Sequence, residues 1–230
     1  MTALTAADLD AIALSLRVAG TAMLFSLPVA FAVALLLARG RFPGRSLLDA
    51  LVHLPLVLPP VATGYALLIL LGRNGPLGRP LSEIGIVFAF DWTGAALASA
   101  VMAFPLMVRP IRLAIEAIDP EVDEAAMTLG AGPWLRLLRI TIPLAGPGLI
   151  AGAVLGFAKA LGEFGATITF AAAIPGETLT LPTAIYQAVQ LPGGEVRALA
   201  LCGVATVIAV VAVLASNAFA RAVERPTGRA

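Results

Sequence analysis

Few side chains in this 230-residue chain offer any chemistry, and two of them stand together in an apolar run: Lys159, the sole lysine, and Glu163. An unpaired charge inside hydrocarbon is costly, and a spacing of four residues puts both groups on one helix face, where each neutralises the other. The pair reads either as a structural ion pair or as a lysine that attracts an anion along a pathway. His53 is the single histidine. It has no second His, Cys or paired carboxylate at ligand spacing, so no metal site is expected. Cys202, the single cysteine, excludes an intramolecular disulfide and is expected to be a buried, apolar-like thiol. A nucleotide-binding P-loop needs Gly-Lys-Ser/Thr after a glycine-rich turn, whereas Lys159 lies between Ala158 and Ala160. The chain is therefore expected to bind no ATP of its own.

What remains is recognition. Asp119 can cap the first free N–H groups of a helix that begins at Pro120, where proline is tolerated. Glu121, Asp123 and Glu124 then set negative charge against the positive end of the helix dipole. Gly130 suits the left-handed residue that ends such a helix. About ten helical residues result, roughly 15 Å. A second short helix starts at Pro133 and is expected to lay Trp134, Leu135, Leu137 and Leu138 against the membrane-embedded part. The chain re-enters the bilayer at Ile142-Pro143. Ala125 and Ala126 give the first helix a low-profile face that would fit a groove on another protein, so the hairpin over about 116–141 reads either as a docking element or as an ordinary loop helix.

The elements that must position these groups follow from composition. The chain is 60% hydrophobic and 13% charged, with a mean hydropathy of +0.96. Soluble domains are closer to about 25% charged, so this is an all-α polytopic membrane protein. Apolar runs near 12–38, 48–71, 93–115 and 196–220 are each long enough to cross roughly 30 Å of hydrocarbon. A fifth, near 142–170, is broken by glycines; residues 163–174 are either its outer end or a separate re-entrant piece. About five spans in a single domain, 1–230, are expected, because the polar stretches are too short for a core of their own.

Five spans put the termini on opposite sides. With the N-terminus outside, Arg39, Arg41, Arg45, Arg109, Arg112, Arg136, Arg139, Arg221, Arg225 and Arg229 fall inside, 10 of the 15 cations, while only Arg73, Arg79 and Arg197 lie outside. That asymmetry predicts N-terminus out, C-terminus in. Asp8 and Asp10 replace a basic n-region, so no cleavable signal peptide is expected.

Within the spans, Leu54-Pro55-Leu56-Val57-Leu58-Pro59-Pro60 must kink or start late, since each proline removes a backbone donor. The kink serves packing or a gate. Gly148, Gly152, Gly156 and Ala160 recur every four residues and predict a packing seam, at a subunit interface or within the chain. A short amphipathic helix over 183–190, bounded by Pro182 and Pro192, follows an outer loop. A net charge of +1 with no basic, aromatic-interleaved patch excludes nucleic-acid binding.

The sequence Glu124-Ala125-Ala126, three residues, Gly130, nine residues, Ile140-Thr141-Ile142-Pro143 resembles the cytoplasmic loop of ABC importer membrane subunits, with only Ile142 departing conservatively. Nearly the whole chain is similar to the molybdate ABC transporter permeases of five spans. The matching stretches are Phe42-Pro43-Gly44, His53 to Pro60, Phe104 to Arg109, Glu124 to Pro143, Leu161 to Phe170 and Pro175 to Thr178. Sulfate, thiosulfate and tungstate permeases look related.

The resemblance implies a non-catalytic permease subunit in the bacterial inner membrane, working as two copies in the lipid bilayer. Its implied partners are a cytoplasmic ABC ATPase that carries ATP and Mg²⁺ and a periplasmic oxyanion-binding protein. Glu124, Ala125, Ala126, Gly130, Ile140 and Pro143 would then couple to the ATPase. Pro59, Pro60, Thr63, Gly64, Thr167 and Thr169 are the candidate pathway or gate, because hydroxyl and backbone donors can pass a tetrahedral dianion without holding it. An ion-coupled secondary transporter is the rival, but among intramembrane relay groups only Glu163 qualifies, and no internal duplication is visible. A membrane enzyme would need a polar cluster that one histidine does not supply.

Overall fold

The computed structural model describes the backbone of residues 4–224 and the side chains of 4–214, so Arg225 and Arg229, and the side chain of Arg221, lie outside the described residues. Every regular element among the described residues is helical. The first, α1 (Ala6–Arg39), has 34 residues, about 51 Å at 1.5 Å each, so it exceeds the hydrocarbon thickness and must tilt or protrude. Asp8 accepts from both the backbone N–H and the hydroxyl of Thr5, at 2.8 and 2.7 Å, which fixes its start.

Helices α2 (Arg45–Val57) and α3 (Pro60–Leu71) meet at 115°. The expected single kinked span over 48–71 is therefore two pieces that turn sharply. Leu58 and Pro59 each precede a proline, which disfavours the helical conformation, and both are extended, with ψ of 144° and 134°. A short α4 (Gly78–Glu83) then leads to α5 (Trp92–Glu116), which Asp91 caps by accepting from the Thr93 N–H at 2.8 Å.

The hairpin comprises α6 (Pro120–Thr128), α7 (Pro133–Arg136), a wider π-type turn over Leu137–Thr141 and α8 (Ile142–Leu144). A 65° bend at Ala145 brings the chain into α9 (Gly146–Leu161). Residues 162–164 break the helix, and α10 (Gly165–Phe170) is a separate short piece. Last come α11 (Leu181–Gln190) and α12 (Glu195–Glu224). Among the described residues three helices, α1, α5 and α12, are long and apolar enough to cross a membrane alone; counting each bent pair as one span gives up to five.

The core forms around α5, where Ala103, Met107, Val108 and Ile111 are buried against Ala19, Ala22, Ala30 and Ala34 of α1. On the other side the seam of α9 closes on α5. A Cβ at Gly152 would stand 2.9 Å from the Met107 carbonyl oxygen, and one at Gly156 2.6 Å from Met107 Cγ. The seam is thus an internal contact, and glycine is required for the backbones to approach so closely.

Cys202 is exposed on α12, contrary to the expected buried thiol. Leu199 and Val207 on the same helix are exposed too. Apolar neighbours in a membrane protein need not belong to the same chain, since lipid is as apolar as leucine.

Candidate functional site

Seven charged groups from five helices converge at the end of the bundle that carries the hairpin. Arg112 of α5 donates to Asp49 of α2 at 3.0 Å and to Glu116 at 2.8 Å, and Arg45 lies 3.8 Å from Glu116. Arg39, the last residue of α1, donates to Asp123 of α6 at 2.6 Å, and Arg136 of α7 stands 3.8 Å from the same carboxylate oxygen. His53 is satisfied locally, its Nδ1 2.8 Å from the Asp49 carbonyl oxygen.

The hairpin itself is built as its residues dictate. The Asp119 side chain accepts from the Glu121 N–H at 2.9 Å. At the other end Gly130 has φ +80°, and the Ala131 N–H reaches back to the Ala126 carbonyl at 2.9 Å, the six-residue closure of a left-handed helix end. Of α6 only Ala126 is buried. It therefore faces its own chain, a correction to its expected place on the docking face, while Glu124 and Ala125 stay exposed.

A second correction concerns the apolar residues that follow. Trp134 is 76% and Leu138 60% exposed, and Leu129 on the helix end is 87% exposed. They do not pack on the membrane helices. The wide turn over Leu137–Thr141, a feature common at functional sites, carries Ile140 half-buried toward the re-entry point, where Pro143 is exposed. Glu124, Ala125, Met127, Leu129, Trp134 and Leu138 are each exposed on the hairpin, and apolar side chains left uncovered there are what a partner protein would cover.

The second cluster lies where α10 packs on α3. A Cβ at Gly64 would stand 2.8 Å from the Ala166 Cα, and one at Gly165 2.7 Å from the Pro60 Cβ. Thr63, Gly64 and Thr167 are buried there, while Pro59 and Pro60 are exposed. The hydroxyls of Thr63 and Thr167 have no hydrogen-bond partner among the described residues, whereas Thr169 donates to the Gly165 carbonyl at 2.8 Å. Glu163 holds the junction: one oxygen accepts from Lys159 Nζ at 2.6 Å and the other from the Ala166 N–H at 3.0 Å. Its side chain is 1% exposed against 29% for Lys159, so the carboxylate is the buried member.

At the opposite end of α1, Asp8 is fully buried and binds Arg197 of α12 through Nε at 3.0 Å and Nη2 at 2.6 Å. Burial alone would raise the Asp8 carboxyl, but the hydrogen bonds from Arg197 and Thr5 and the charge of Arg197 more than offset it and hold it below its ordinary value. Ser15 accepts from the Leu181 N–H at 2.6 Å, tying α11 to the same helix, and the Arg17 guanidinium lies 3.7 Å over the Trp92 ring. Sequence reasoning missed the Asp8–Arg197 pair, whose members are 189 residues apart and carry no local signature. It also missed that Asp123 is the acidic residue of α6 that the arginines hold.

The chain can now be set beside known proteins. Residues 26–227 match the family model described as binding-protein-dependent transport system inner membrane component. The molybdenum transport system permease protein ModB of Escherichia coli (strain K12) is 53% identical over 227 residues, 98% of this chain and 99% of that protein. ModB of Haemophilus influenzae is 50% identical, over 96% of this chain and 97% of its own length. Among solved structures, a bacterial alginate ABC transporter in complex with an alginate pentasaccharide-bound periplasmic protein superposes with a TM-score of 0.77 at 25% identity, over 96% of this chain and 80% of the other.

Proposed function

The chain belongs to the binding-protein-dependent transport system inner membrane components, and from that premise we infer that it is the permease subunit of a molybdate ABC importer, a multi-pass protein of the inner membrane. The observation that carries this reading is similarity over nearly the full length of both chains to a molybdenum transport permease. Nothing in the sequence breaks bonds, and transport is the subunit's work.

ATP hydrolysis then falls to a partner ATPase holding ATP and Mg²⁺, docked on the exposed hairpin through Glu124, Ala125, Gly130 and the apolar side chains around them. A periplasmic oxyanion-binding protein delivers the anion on the other side, as the solved alginate transporter carries its own periplasmic protein. Two copies of this chain, each with its N-terminus outside and its C-terminus inside, enclose the pathway. Closure of the paired ATPases moves the two Glu124 loops together and opens the pore outward, and hydrolysis resets it.

The pathway runs beside the α3–α10 contact. The unmet hydroxyls of Thr63 and Thr167 support this placement, because a tetrahedral dianion is an acceptor that they could serve when the two helices part. The Lys159–Glu163 pair keeps α10 in place rather than binding the anion, since Glu163 uses both oxygens within the chain.

Purification of the tagged chain from its native membrane in mild detergent tests the assembly. One P-loop ATPase per permease, with a single permease species, is the expected composition. Isolation of the chain with no ATPase, even after crosslinking at Glu124, would contradict it.

A further inference from the structure

Force from an ATPase bound at the hairpin has to enter the membrane helices somewhere, and few side chains offer it a route. Among the described residues, the hydrogen bond from Arg39 Nη1 to Asp123 Oδ2, at 2.6 Å, is the one side-chain hydrogen bond or ion pair joining α6 to a membrane-spanning helix. The other polar side-chain bonds of α6 stay within it, from the Glu121 N–H to Asp119 and from the Thr128 hydroxyl to the Glu124 carbonyl. Asp123 is 19% exposed and Arg39 37%, so the bond is sheltered on one side only.

The same carboxylate faces a second arginine that it does not yet bond. Arg136 Nη1 is 3.8 Å from Asp123 Oδ2, beyond hydrogen-bond reach. Asp123 Oδ1 and Arg136 Nε are both buried and without a partner among the described residues. A buried donor and a buried acceptor left unmet are costly, and a small movement of α6 toward α7 would bring Arg136 within hydrogen-bond reach of the Asp123 carboxylate as a charge-assisted pair. A cleft of about 570 Å³ between the inner end of α1 and α6, lined by Arg39, Arg45, Glu116, Asp119, Asp123 and Glu124, leaves that side of α6 loosely packed, so little besides the Arg39 bond holds the helix there.

We propose that Asp123 is a positioning residue that latches the coupling helix to the inner end of α1 through Arg39 and exchanges that bond for Arg136 when the helix moves. The proposal rests on the importer reading above. In the conformation described, the latch transmits displacement of α6 to α1, and through the packed α1–α5 core to the rest of the bundle. Exchange to Arg136 lets the hairpin move as one body.

The test is molybdate transported per ATP hydrolysed by the complete complex, with its ATPase and binding protein, in proteoliposomes. The wild-type complex must first show ATP-driven uptake; if it does not, the importer reading itself fails. Given wild-type uptake, Asp123→Asn should lower transport per ATP about fivefold while the ATPase still copurifies at the wild-type ratio. The conservative Asp123→Glu, which keeps a carboxylate for both arginines, should retain most of the transport per ATP. Should Asp123→Asn not assemble, Arg39→Gln removes the same bond from the α1 side and carries the same expectation. Wild-type transport per ATP in an assembled Asp123→Asn or Arg39→Gln complex overturns the latch, as does an Asp123→Glu complex no better than Asp123→Asn.

Discussion

Gly130 and Asp8 show how much a single residue contributes at the two ends of the molecule. A Cβ at Gly130 would meet nothing within 4 Å, so its φ of +80° is the reason for glycine there. Gly130→Ile should therefore cost about 1–2 kcal/mol of local conformational energy, loosen the turn between α6 and α7, and reduce ATP-driven uptake while leaving membrane insertion intact. Insertion and uptake measured on the same vesicles separate those effects. For Asp8, a carboxyl held below its ordinary value stabilises the fold fully above the unfolded pKa and loses that contribution as pH falls through the folded one. The Tm of the wild-type protein should thus drop more steeply below pH ~4 than that of Asp8→Asn, which should already be less stable at neutral pH by about 1–3 kcal/mol. Equal Tm values for the two proteins at neutral pH would contradict the clamp.

Elements differ in how far the sequence revealed them, and the reasons are physical. The long helices α1, α5 and α12 announce themselves by unbroken apolar runs, and the α9 seam by its period of four. Asp119-Pro120 and Gly130 mark both ends of α6, because capping and left-handed termination are local. The prolines before α3 announce a break but not its 115° angle, because a missing backbone donor carries no direction. Exposure of Cys202, Trp134 and Leu138 was illegible for a different reason: apolar side chains in this chain look outward to lipid or to partners. At this scale the seam supplies a test. Gly152→Leu should force α9 away from the Met107 carbonyl, at a cost of about 1–3 kcal/mol, and lower the thermal stability of the detergent-solubilised protein. A similar change at Gly203, with nothing within 4 Å of an added Cβ, should have little effect.

Across the whole molecule the two candidate sites sit on one mechanical path. The hairpin meets α1 at Arg39, α1 packs on α5, and α5 packs on both α9 and α10, with α10 in turn closing on α3 at Gly64, next to Thr63. Movement at the hairpin should therefore change the surroundings of Thr63. Labelling of Thr63→Cys by a water-soluble thiol reagent, in a Cys202→Ser background, should depend on the nucleotide state of the complex; the same rate in every state would detach the α3–α10 contact from the pathway. The central claim is molybdate import, and its most direct measurement is uptake of radiolabelled molybdate by proteoliposomes holding the permease, its ATPase and its binding protein. Accumulation that requires ATP and persists in excess sulfate is the predicted result. Uptake without ATP, or abolished by equimolar sulfate, would contradict it.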